Sequence, residues 1–140
     1  MSTTAGNNKT PVQVRVESDV DIVTARQQGR TLAGELGFVS TDLTIIATVI
    51  SELSRNIVVY AKCGDIVLSP VSKNGNIGIV VVARDEGPGI ANTMLAMQDG
   101  YSTSRSFGLG LPGVKRLMDE FEIVSKSGQG TTVTAKKWLR

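Results

Sequence analysis

Glu52 and Asn56 stand four residues apart, and Asp85 follows 33 positions after Glu52 in the segment Asp85-Glu-Gly87-Pro-Gly89. Together they offer a carboxylate able to accept a proton, an amide oxygen able to ligate a hard cation, and a second carboxylate beside a turn. Two more glycine clusters follow, Gly108-Leu-Gly110-Leu-Pro-Gly113 and Gly128-Gln-Gly130-Thr131-Thr132. A site for a nucleotide and its metal ion is built from parts of this kind. Each part also has an ordinary structural use, so their order and surroundings decide.

The elements that must position them can be read from periodicity. Val12-Gln-Val14-Arg-Val16 alternates as a half-buried strand does. From Asp19 to Leu36 the positions Ile22, Ala25, Gly29, Leu32, Ala33 and Leu36 recur at helical spacing, and Gly37 is a natural stop. Ser40 then caps a second helix running to about Ala61. Residues 65–71 and 77–83 read as strands joined by Asn74-Gly75, a tight-turn signal. Residues 91–98 suit a short helix, and residues 99–107 are polar and rich in Ser and Thr. A third long helix starts near Gly110, with Pro112 in its first turn and Leu111, Val114, Leu117, Met118 and Phe121 as its stripe. Residues 122–126 and 131–138 are strands around Ser127-Gly-Gln-Gly130. The expected fold is α/β of the α+β kind: a two-layer sandwich of a mixed, largely antiparallel sheet with helices on one face. Residues 1–10 read as a polar tail and residues 11–140 as one domain.

At roughly 100° per residue, Leu43, Ile46, Ile50, Ser54 and Ile57 share the face of the second helix that should meet the sheet. Thr44, Thr48, Ser51, Arg55 and Lys62 form a polar strip to one side. Glu52 and Asn56 point together on a further face, in the company of Ile45, Val49 and Val59. A helix apolar on two sides, with a carboxylate and an amide in the second patch, suits a partly dry pocket or a partner surface. An ordinary exposed Glu and Asn would satisfy the same spacing.

Asp85 ends a strand expected to be central. A carboxylate fixed there can accept from the exocyclic amino group of adenine, which guanine lacks at that position. A plain strand-to-helix turn fits equally well. The run from Gly108 to Gly113 has the G-x-G-x-x-G form but lacks the preceding strand of a dinucleotide fold, the Lys-Ser/Thr of a P-loop, and the companion motifs of eukaryotic kinases. What remains is a glycine-rich helix start, whose free amides attract phosphate, or close helix packing. Gly128 to Thr132 is most simply a hairpin turn; if Asp85 binds adenine, a threonine hydroxyl on the neighbouring strand could complete the contact through water.

Composition narrows the chemistry further. The chain has no histidine, which removes histidine triads, histidine metal sites and histidine phosphotransfer. The single cysteine, Cys63, rules out an intrachain disulfide framework and is expected to be packed. Met94, Met97 and Met118 are expected core residues. A net charge of +2, with Lys136, Lys137 and Arg140 as the densest basic group, gives no nucleic-acid platform. No signal peptide or uninterrupted membrane-length apolar run is legible, so no membrane partner and a cytoplasmic location are expected.

The four elements in this order resemble the GHKL superfamily, which shares the Bergerat nucleotide-binding fold. Within it the chain is similar to bacterial serine/threonine protein kinases of the partner-switching (RsbW/RsbT) family, nearest the stressosome branch. The likeness covers nearly everything after residue 12, notably residues 21–30, residues 52–61, residues 110–121 and the ending Lys137-Trp-Leu-Arg140. It implies an ATP-dependent kinase in which Glu52 takes the proton from the substrate hydroxyl and Asn56 holds Mg2+. Asp85 would read adenine with Thr131 behind it, and Gly87 and Gly89 would shape the adenosine site. Gly108, Gly110 and Gly113 would serve the phosphates, under a lid of residues 99–107 carrying Arg105. The implied substrates are STAS-domain antagonist and scaffold proteins, and the released kinase would activate a downstream PP2C-type phosphatase. Two other functions share these residues: an anti-sigma factor that captures a sigma factor, and an ATPase that couples hydrolysis to movement.

Overall fold

Residues 10–88 and 110–140 are described by the structure, a computed structural model. The expectations for residues 1–9, the 91–98 helix, the 99–107 lid, Met94, Met97, Gly89, Arg105 and Gly108 lie outside them.

Five strands pair antiparallel throughout in the order β1-β2-β3-β5-β4, with β1 Val12–Val16, β2 Gly64–Lys73, β3 Asn76–Asp85, β4 Glu120–Lys126 and β5 Gly130–Trp138. β3 is the middle strand, as expected for the one that ends in Asp85. Its alternation sends Ile79, Val81 and Ala83 to the buried face, beside Ile66 and Leu68 of β2 and Val133 and Ala135 of β5. Asn74 and Gly75 both take positive φ, 54° and 85°, as the tight β2–β3 turn requires.

The helices α1 Asp19–Leu36, α2 Ser40–Asn56 and α3 Gly110–Leu117 cover that face. Gly37 stops α1 with φ 110°, a left-handed conformation that a side chain would resist. Val39, not Ser40, occupies the cap position of α2, so the sequence reading of that start is off by one residue. Ile46, Val49, Ile50 and Leu53 of α2 are buried in the same core as Phe38, Leu32 and Leu36. Each such side chain removed from water contributes about 1.5–3 kcal/mol. Phe121 belongs to β4 rather than to the third helix, which ends at Leu117. The stripe nevertheless continues in space, because Leu117, Met118 and Phe121 all pack on the core.

The 22-residue stretch Ser40–Ala61, whose most apolar 18-residue window has mean hydropathy 1.3, is long and apolar enough by length and composition to cross a bilayer. Threonines and serines interrupt that stretch in the sequence, which is why no continuous run announced it. Here the apolar residues pack against α1, α3 and the sheet.

A hydroxyl in this core lacks a partner among the described residues. Ser54 lies in the sheet-facing stripe, fully buried, and its hydroxyl makes no hydrogen bond. An orphaned hydroxyl costs about 1–3 kcal/mol. Ser54→Ala is therefore expected to stabilise the fold by about 1 kcal/mol in urea unfolding; a loss of stability would show that the hydroxyl is satisfied after all.

Candidate nucleotide site

At one end of the sheet the register lines up a row across four strands. Gly64 of β2 faces Asp85 of β3, Asp85 faces Thr131 of β5, and Thr131 faces Ser125 of β4. Two-residue alternation puts this row on the helix-covered side, one step beyond Ile66, Ala83, Val133 and Ile123. The Asp85 carboxylate accepts from the Gly87 amide at 2.9 Å, a local bond that fixes one of its oxygens and begins the turn. The Ser125 and Thr131 hydroxyls are 2.7 Å apart.

Side chains are excluded around this row wherever the backbones close up. A Cβ at Gly130 would collide with the Asp85 carbonyl oxygen, and Gly130 also takes φ 98°. The β4–β5 turn is tied to the segment after Asp85, since the Gly128 amide donates to the Pro88 carbonyl at 2.6 Å. Asp85, Gly87, Thr131 and the glycines of the last hairpin therefore form one assembly, although 45 positions separate Asp85 from Gly130.

α2 reaches the same end of the sheet. After Asn56 its hydrogen bonding widens into a π-helical turn, Ile57–Ala61, followed by Lys62 with φ 74°. Such turns are uncommon and gather at functional sites. Ile57 packs over Gly64, where a Cβ would approach Ile57 Cγ2 to 3.0 Å and Asp85 Cβ to 3.1 Å. Ala61 presses on the turn after Asp85: a Cβ at Gly87 would fall 2.6 Å from Ala61 Cβ. The turn that continues the Glu52–Asn56 helix is thus packed directly on the Asp85 row.

Glu52 is only 4% exposed, an unusual burial for a carboxylate. Val49 on the same face is fully buried, and Ile45 and Asn56 are half-buried. Val59, expected to share that face, is instead 38% exposed, because the π turn changes the angular step after Asn56. In the expected polar strip Thr44 and Thr48 are exposed, whereas the Ser51 hydroxyl and Arg55 Nε are buried without partners. Gly110 and Gly113 are both buried in the first turn of α3, which packs against α2. Among the described residues no three His, Cys, Asp or Glu side chains gather into a metal cluster.

Sequence reasoning missed Gly64, Ala61 and Ser125. Gly64 carried a signal, a glycine heading a strand, but nothing in the sequence paired it with Asp85. Cys63, a free thiol, is half-buried beside this end. Arg15, on the outer face, holds its proton more tightly than usual, first through its hydrogen bond to Glu17. A cavity of about 420 Å³ lies at the opposite sheet end, lined by Lys73, Asn76, Glu120, Trp138 and Arg140, and includes no residue of the Asp85 row.

Residues 41–140 match the family model described as histidine kinase-, DNA gyrase B-, and HSP90-like ATPase. The chain belongs to that family. It is 52% identical over 127 residues to the serine/threonine-protein kinase RsbT of Bacillus subtilis, covering 91% of this chain and 96% of that one. It is 35% identical to the anti-sigma F factor of Geobacillus thermodenitrificans over 105 residues, 70% of each chain. A solved structure of the RsbU and RsbW domains of a Mycobacterium tuberculosis protein superposes with a TM-score of 0.59 at 25% identity. That match covers 92% of this chain and 32% of the larger protein. The antiparallel sheet with its helices on one face is the fold this family shares, and the matched span begins one residue into α2 and includes the whole Asp85 row.

Proposed function

We propose that residues 11–140 are an ATP-dependent serine/threonine protein kinase domain of a bacterial partner-switching module. Its substrates are STAS-domain antagonist and scaffold proteins. The observation that carries the reading is a buried carboxylate, Glu52, one helical turn before Asn56, on a helix whose continuation is packed on the Asp85–Thr131 row. The likeness to RsbT across nine-tenths of the chain supports the same activity.

In this reading Asp85 accepts from the adenine amino group, with Thr131 beside it and Gly87 and Gly89 letting the backbone approach the adenosine. Gly108, Gly110 and Gly113 present amides towards the phosphates, and Arg105 contributes positive charge within the 99–107 lid. The amide oxygen of Asn56 is a hard donor, which fits Mg2+ beside the oxygens of a triphosphate. Asn56 would hold that ion, whose charge when bound would offset the negative charge of the triphosphate. Glu52 accepts the proton as the substrate hydroxyl oxygen bonds to the γ-phosphorus, and the bond from that phosphorus to its bridging oxygen breaks, releasing ADP.

The released kinase would then bind and activate a PP2C-type phosphatase, and the reaction belongs in the cytoplasm, where ATP is supplied. The test is transfer of labelled γ-phosphate from ATP–Mg2+ to a Ser or Thr of a STAS-domain protein. No transfer, with sigma-factor capture in its place, would favour the anti-sigma reading that the more distant relatives suggest.

The packing of the π turn on Gly87 gives a second check. Gly87→Ala forces Ala61 away, since the new Cβ would lie 2.8 Å from Ala61 Cα. ATP affinity by calorimetry is expected to fall about tenfold, or about 1.4 kcal/mol. An unchanged affinity would mean that this turn does not bear on the nucleotide.

A further inference from the structure

Ser125 was assigned no role above, yet its hydrogen bonds fix the direction of its neighbours' protons. Its Oγ lies 3.1 Å from the Gly130 carbonyl oxygen and 2.7 Å from Thr131 Oγ1. A carbonyl oxygen only accepts, and a serine has one hydroxyl hydrogen, so Ser125 donates to Gly130. The hydrogen in the short hydroxyl–hydroxyl contact must then come from Thr131. Thr131 has no second hydrogen, so its remaining capacity is lone pairs. Asp85, directly opposite Thr131 in the register, is acceptor-only when ionised.

We propose that Ser125 is a specificity-determining positioning residue that makes Thr131 an acceptor, so that the Asp85–Thr131 pair admits an amino group and rejects a carbonyl. An adenine amino group offers two N–H donors to such a pair, directly or through a bridging water. Guanine presents a carbonyl oxygen at the same ring position and meets lone pairs. A threonine free to rotate could donate to that carbonyl, and the committed one cannot. ATP is thereby distinguished from GTP by a residue on the edge strand that need not touch the base. This inference deepens the nucleotide reading and rests on the base lying at the Asp85 row.

The test compares binding of ATP, GTP and purine riboside triphosphate, which lacks the six-position substituent, by calorimetry in the full chain. Ser125→Ala should lower the ATP-to-GTP affinity ratio about tenfold, the discrimination carried by about 1.4 kcal/mol, and leave the purine analogue within about twofold. Ser125→Thr, which keeps a hydroxyl there, should retain the ratio. A ratio unchanged in Ser125→Ala, or equal weakening of all three nucleotides, overturns the proposal. If Asp85→Asn weakens ATP while Ser125→Ala keeps the ratio, the specificity role alone fails. If the unaltered chain binds no ATP, the nucleotide reading fails and this inference goes with it.

Discussion

Glu52→Gln is expected to cut phosphoryl transfer to a STAS-domain substrate by about 100- to 10,000-fold, the range general-base removal typically gives. Glutamine keeps the size and hydrogen-bonding reach of the side chain but cannot take the proton. Because Glu52 is 4% exposed and sits inside α2, the isosteric change should leave the fold in place. ATP affinity should change little, since adenine and phosphate contacts are assigned to other residues. Single-turnover transfer and calorimetry on the same variant separate the two quantities. Transfer at the unaltered rate would remove Glu52 from the role of base, and lost ATP binding would make it a structural or binding residue instead.

Asp85→Asn is expected to do the opposite, weakening ATP by about 10- to 100-fold, as losing a hydrogen bond to a charged acceptor does. An asparagine at this position can still accept from the Gly87 amide through its oxygen, as Asp85 does at 2.9 Å. The group it then turns to the base is partly an N–H donor, which repels an amino group. Transfer measured at saturating ATP should recover much of its rate, because Glu52 and the phosphate side are untouched. Equal affinity in the variant and the parent would detach Asp85 from adenine.

The proposed roles of these two residues are opposite and lie on different elements, and the sequence exposed both for different reasons. Glu52 was visible because helical spacing put it with Asn56 beside Val49 and Ile45, an apolar face that a solvated pair would not need. Asp85 was visible because an apolar strand ended in a carboxylate and a Gly-Pro-Gly turn. The strand and helix boundaries followed from alternation, from Gly37 and from Asn74-Gly75, where local chemistry admits few conformations. Phe121 was misplaced because its spacing continued the helical stripe; packing on a shared core is satisfied equally well by the next strand.

By itself the sequence determined the order of the described elements, the α+β class with a largely antiparallel sheet, the inward faces and most of the candidate residues, since periodicity and turn chemistry act within a few positions. Only the tertiary structure decided that Gly64, Asp85, Thr131 and Ser125 form one row, because strand register is set by pairing between distant segments. The π turn after Asn56 was likewise invisible: it is selected by the fit of Ile57 over Gly64 and Ala61 over Gly87, contacts that exist only once α2 lies on the sheet.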